Sequence, residues 1–191
     1  MTESNQPNLN SFTRTQILGF MGITALILLI ISQIWQRLGK INLIPVKFNL
    51  HDFSMGVLIA IAIILASSIL TRVWEDYRHS AEKYLNLIIS PLILADLIWV
   101  GLLPGLSEEL LFRGVMLPAF GYDWLALILS SVFFGILHWS EVSSWHYVVW
   151  AIIIGFVLGY SAYITGNLLV PIVAHSLTNF VSSLLWKLKH P

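Results

Sequence analysis

Seven polar side chains of this sequence stand inside runs of apolar residues: Asp96, Glu108, Glu109, Arg113, His138, His175 and Asn179. An ionisable group at the centre of a bilayer costs at least about 2.5–3.5 kcal/mol on insertion scales. Each therefore needs a partner or a chemical task. Glu109 and Arg113 are four residues apart with the acid first, the favourable order for a helical ion pair. Paired, they largely neutralise each other. Glu108 is turned about 100° away on a helix and lacks that partner, so it is the better candidate for a free, reactive carboxylate. The same three residues would also form a buried ion-pair cluster that only holds helices together.

His138 lies four residues after Phe134 on one helix face, and a histidine there is otherwise an interfacial residue beside Trp139. His175 and Asn179 have the same spacing. Alone they would make interhelical hydrogen bonds, each contributing about 0.6 kcal/mol. Together, one carboxylate, two histidines and an asparagine from three apolar runs can face a common cavity. That set holds a general base, a water-positioning group and donors for an oxyanion. It suits attack of activated water on an amide. No G-x-S-x-G elbow or H-E-x-x-H zinc signature occurs, although a zinc site of Glu108, His138 and His175 stays chemically open. Asp96 is expected to pair with a neighbouring helix, with cavity lining as the alternative. Glu141 and His146 are placed in a short solvated loop, and His51 and His190 on the surface. Gly155 and Gly159 form a G-x-x-x-G face for close helix packing.

The elements that must position these groups follow from composition. Of 191 residues, 57% are apolar and only 10% charged, against roughly 25% charged in soluble domains. Mean hydropathy is +0.81. The chain is expected to be all-α, a polytopic integral membrane bundle of about six spans: 16–35, 55–74, 87–118, 123–139, 146–164 and 168–187. The region 87–118 holds Pro91, Pro104 and Gly105. It is either one kinked helix or one that breaks near Pro104 and restarts at Ser107. The charged stretch from Glu75 to Lys83 is a surface helix or loop. The chain divides into a polar tail over 1–15, two helices with a charged connection over 16–85, and a motif-bearing core over 86–188. Zero net charge without a basic run gives no reason to expect nucleic acid. The absence of cysteine excludes disulfides, thiolate metal sites and a cysteine nucleophile. Arg14, Arg72, Arg78, Lys83, Lys187 and Lys189 fall on one side of a six-span chain and Arg37, Lys40 and Lys47 on the other, which favours cytoplasmic termini, in the cell membrane.

The ordered motifs Glu108-Glu109-x-x-x-Arg113, Phe134-x-x-x-His138 and His175-x-x-x-Asn179 resemble those of the CAAX protease and bacteriocin-processing family, also called the ABI family, of intramembrane glutamic endopeptidases. The runs Glu-Glu-Leu-Leu-Phe-Arg-Gly at 108–114 and Thr-Gly-Asn-Leu-Leu-Val-Pro-Ile-Val-Ala-His at 165–175 fit as well. The resemblance covers roughly residues 100–185. It implies that Glu108 activates water with help from His138, and that His175 and Asn179 stabilise the oxyanion. Glu109, Arg113 and Phe134 support the site, and no metal or other cofactor is needed. The implied partners are a membrane-associated protein or peptide substrate, prenylated or not, and membrane lipid. The rivals are a zinc-dependent membrane protease and a non-enzymatic immunity or interaction protein.

Overall fold

The computed structural model describes residues 12–139 and 145–190, and every regular element among them is helical. Helix α1 (Arg14–Gly39) starts at a capping box in which Thr13 accepts from the Gln16 amide and Gln16 accepts from the Thr13 amide. It ends where Lys40 adopts φ 49°, a left-handed cap. Helix α2 (Leu50–Val73) is capped by Asn49, whose side chain accepts from the Asp52 amide at 2.8 Å. Helix α3 (Glu75–Ile89) follows after Trp74 alone. The stretch expected as a surface helix or loop is thus part of a 15-residue helix.

Of the two readings of 87–118, one kinked helix or a break near Pro104, the break near Pro104 is not found. A 3-10 turn (Leu94–Asp96), helix α4 (Leu97–Glu109), a π-helical segment (Leu110–Met116) and the short α5 (Leu117–Ala119) succeed one another without a gap, and Pro104 lies inside α4. The break falls instead between α3 and Leu94, at Pro91, and the axis turns there by 106°. Pro91 has no N–H with which to continue the helical ladder of α3. Helix α6 (Trp124–Ile136) is capped by Asp123, which accepts from the Ala126 amide at 2.8 Å. Helices α7 (Trp145–Thr165) and α8 (Leu169–Lys189) meet at the tight Thr165-Gly166-Asn167 turn, with Gly166 at φ 59°.

Four helices, α1, α2, α7 and α8, are long and apolar enough to cross a membrane, and the bent α3–α5 pair makes a fifth if counted as one span. Helix α6 has 13 residues, about 20 Å at 1.5 Å per residue, short of the roughly 30 Å hydrocarbon core. The expected six is reached only by counting it. The fold is a polytopic, all-helical membrane bundle.

Two polar seams fix its ends. At one, Arg14 of α1 grips Asp96 in a bidentate pair at 2.7 and 2.8 Å, and Lys187 of α8 donates to the Ser90 carbonyl at 2.9 Å. Asp96 thus takes the structural role expected of it. At the other, the Asn167 side chain accepts from the Lys47 amide and donates to the Lys47 carbonyl and to Asp52. That side chain ties the α1–α2 connection to the start of α8.

The most extensive helix pairs are α4 with α8, α6 with α7 and α2 with α8. Glycine serves all three: for α2 and α8, a Cβ on Gly56 would stand 2.8 Å from the Val170 carbonyl oxygen. A Cβ on Gly101 would stand 2.6 Å from the Ser176 carbonyl oxygen, and one on Gly105 would meet the Ser176 side chain, so α4 and α8 touch backbone to backbone. Across α6 and α7, a Cβ on Gly155 would stand 3.0 Å from Phe134, and one on Gly159 would stand 2.6 Å from Leu127. The expected close-packing face at Gly155 and Gly159 is present; the equivalent spacing at Gly101 and Gly105 had the same signal in the sequence and was missed.

Candidate active site

Helix α4 ends in Glu108 and Glu109, and the two carboxylates part ways. Glu109 is fully buried and accepts from Arg113 Nη1 at 2.8 Å across the first turn of the π segment. Arg113, also fully buried, donates from Nη2 to the Gly155 carbonyl at 2.7 Å. Its guanidinium lies over the Phe134 ring, 4.5 Å from the centroid. Such a cation–ring contact strengthens when water is excluded. The close approach at Gly155 that lets α7 reach Phe134 also presents the carbonyl that Arg113 needs.

The Glu109 oxygen that binds Arg113 takes a second bond, from His175 Nδ1 at 2.7 Å. An ionised carboxylate only accepts, so Nδ1 carries the proton. His175 is thereby fixed in orientation, with Nε2 left for other work. This link between α4 and α8 was not read from the sequence, where Glu109 had only Arg113. It depends on which helices are neighbours, and the glycines of α4 decide that.

Glu108 projects elsewhere. Its Oε2 is buried without a hydrogen-bond partner and stands 4.0 Å from His138 Nε2. His138 Nδ1 lies 2.8 Å from the Phe134 carbonyl. That carbonyl can only accept, so Nδ1 bears the proton in the neutral ring, and Nε2 turns a lone pair toward Glu108. The histidine is placed by the early end of α6. The helix stops at Ile136, and His138 sits in the turn just beyond.

The Phe134 ring organises the cluster. It lies 4.7 Å from the His138 ring, 5.8 Å from that of His175 and edge-on to Phe112 at 5.3 Å. His138, His175, Thr178 and Asn179 line one cavity of about 50 Å³ together with Phe134 and Tyr147. A water needs roughly 10–15 Å³ by this measure, so the cavity has room for a few. The expected site residues therefore gather in one neighbourhood: Phe134, His138, His175 and Asn179 line the cavity, Glu109 joins His175 to Arg113, and Glu108 stands 4.0 Å from His138.

Other expectations fare differently. His146 is in the first turn of α7, not in a solvated loop. Its ring packs on Trp145 at 3.8 Å and edge-on to Trp74 at 5.1 Å, 3.6 Å from Asp76. Two aromatic neighbours exclude the water that a loop histidine would have. Glu141 and most of the polar tail lie outside the described residues. His51 and His190 are exposed, as expected. Among the described residues no three His, Cys, Asp or Glu side chains gather closely enough to hold a metal ion. Tyr147 was not foreseen. It stacks on Tyr84 of α3 at 5.2 Å and so joins α3 to the cavity wall.

Fold and site together describe a multi-pass helical membrane protein with a cluster in which Glu109, Arg113 and His175 are buried and Glu108, His138 and Asn179 partly so. Residues 90–181 match the family of type II CAAX prenyl endopeptidase Rce1-like proteins, and the chain belongs to that family. It is 31% identical over 135 residues to the uncharacterized protein YpbD of Bacillus subtilis (strain 168), covering 71% of this chain and 69% of that one. Over 142 residues it is 29% identical to the uncharacterized protein YyaK of the same organism, spanning about half of that protein, 47%, and 70% of its own length. No solved structure matches the chain. The family is one of proteases, and membership supports a hydrolase that works in the membrane on a membrane-associated peptide.

Proposed function

We propose that the chain is an intramembrane endopeptidase in which Glu108 activates water for attack on a peptide bond, without a bound metal. One observation carries this reading. The unpartnered Glu108 Oε2 and the Nε2 lone pair of His138 face each other across 4.0 Å in a half-enclosed site. Both are acceptors, and both lack a donor. A water that gives one hydrogen to each, at about 2.8 Å, satisfies the two at once. Its own lone pairs then point away from both, free to attack.

The remaining groups fit the subsequent steps. Glu108 takes a proton as the water oxygen bonds to the scissile carbonyl carbon. The carbonyl oxygen gains the negative charge and is met by donors from α8, His175 through Nε2 and Asn179 through its amide. In its doubly protonated form His175 donates to Glu109 on one side and to the oxyanion on the other. With Glu108 and Glu109 negative and Arg113 positive, that extra proton leaves the cluster neutral. The tetrahedral species collapses as the C–N bond breaks, and the departing amine takes the proton from Glu108. Glu109, Arg113 and Phe134 touch no reacting atom; they hold His175 and His138 in place.

The substrate is a membrane-associated protein or peptide, with prenylated C-termini one class to be tried. The test is cleavage of a set of prenylated and unprenylated fluorogenic peptides by detergent-purified protein, with and without a strong chelator. Cleavage that survives the chelator and is lost in His138→Ala supports the reading. Loss on chelation and recovery with zinc would replace it with a metalloprotease using Glu108, His138 and His175. Absence of cleavage by folded protein across the set would favour an immunity or interaction protein whose cluster only joins helices.

A further inference from the structure

Among the described residues several helical hydroxyls are satisfied within their own helix, and Ser130 reaches across to the Phe112 carbonyl. Ser32, Ser107, Ser131 and Thr165 each donate to the carbonyl four residues earlier, and Thr71 and Ser161 to the one three residues earlier. That is the usual way a helix satisfies a buried hydroxyl. Thr178 is on α8, is 9% exposed, and its Oγ1 is buried with no partner. Ser176 also lacks one, but its hydroxyl is pressed into the α4 seam at Gly105. Thr178 instead lines the cavity that holds His138, His175 and Asn179. A buried hydroxyl left unmet is unfavourable, and helical Ser and Thr ordinarily avoid this by bonding a carbonyl one turn back.

From this we infer that Thr178 is a further hydrogen-bonding residue of the site, its Oγ–H donating to the scissile carbonyl oxygen as that oxygen becomes an oxyanion. The inference rests on the endopeptidase reading and extends it. Thr178 follows His175 by three residues and precedes Asn179, so the three side chains issue from one stretch of α8 beside one cavity. In the free enzyme the hydroxyl meets no protein acceptor. The residue need not ionise or move, which is what preorganised oxyanion stabilisation requires.

Two variants separate hydroxyl from shape. Thr178→Val keeps the volume and removes the hydroxyl; Thr178→Ser keeps the hydroxyl and removes the methyl. Peptide cleavage is measured for both as kcat and KM, with the melting temperature in detergent beside it. Loss of one oxyanion donor lowers kcat by about 10²–10³-fold. The expected result for Thr178→Val is a kcat fall of about tenfold or more, with KM changed by less than about threefold. Thr178→Ser should keep most of the activity. The melting temperature of Thr178→Val should hold or rise, because no protein bond is lost. Wild-type kcat in Thr178→Val would overturn the inference. So would a Thr178→Ser as defective as the valine variant, or a lowered melting temperature in Thr178→Val. A folded wild type that cleaves nothing would instead refute the endopeptidase reading, and this inference with it.

Discussion

At the scale of single residues, two adjacent glutamates meet opposite environments. Glu109 shares one oxygen between Arg113 and His175 and is fully buried. Glu108 is only partly buried, and its Oε2 stands 4.0 Å from His138 Nε2 and accepts no hydrogen bond, as is also true of the second oxygen of Glu109. The difference was legible in the sequence, because helical periodicity alone separates adjacent side chains by about 100°. The second bond on Glu109 was not legible, since it joins residues 66 positions apart on helices whose adjacency no local pattern gives. The pair carries a stability prediction. Arg113→Met leaves the Glu109 charge buried without its main partner and should cost about 3–5 kcal/mol. Glu109→Gln should cost a similar amount. The double variant Glu109→Gln/Arg113→Met should regain most of that stability, measured by thermal unfolding in detergent, yet fail to hold His175 and stay inactive.

At the scale of elements, packing overrode local propensity. Pro104 reads as a helix break, since it removes one ladder bond. It sits between Gly101 and Gly105, the residues that let α8 approach α4, so burial against α8 keeps the helix continuous through it. The π segment right after Glu109 has no sequence signature that a periodicity argument detects, although such segments gather at functional sites. The glycine seam gives a graded prediction. Gly101→Ala would press on the Ser176 backbone oxygen, which cannot give way, whereas Gly105→Ala would press on the Ser176 side chain. Overpacking costs about 1–3 kcal/mol. Ser176→Ala should therefore restore the melting temperature of Gly105→Ala and leave that of Gly101→Ala low. Rescue of both, or of neither, would mean that the seam is not the tight contact described.

At the scale of the whole molecule, composition alone sufficed for a helical membrane bundle, and three short motifs for the family. The count of spans was less legible, because α6 is shorter than its apolar sequence suggests and α3 is a separate helix bent by 106° from the run that begins at Leu94. Arg14 and Lys187 both bind the 90–96 segment, so the start of α1 and the end of α8 share one face of the bundle. Under the positive-inside rule the basic residues at that face predict that it lies on the cytoplasmic side. Because the chain has no cysteine, single-cysteine variants report topology directly. In intact cells a membrane-impermeant maleimide should label Lys40→Cys and spare Lys189→Cys. The reverse pattern would invert the orientation, and labelling of both would break the even number of crossings.

The most direct measurement is the cleavage rate of Glu108→Gln set beside its thermal unfolding. The substitution keeps size and hydrogen bonding and removes only the ability to take a proton from water. The expected result is a fall of about a thousandfold or more, in the range of losing the general base together with its electrostatic hold on water, with an unchanged melting temperature. A folded Glu108→Gln protein that cleaves peptide at the wild-type rate would contradict the assignment of Glu108 as the base.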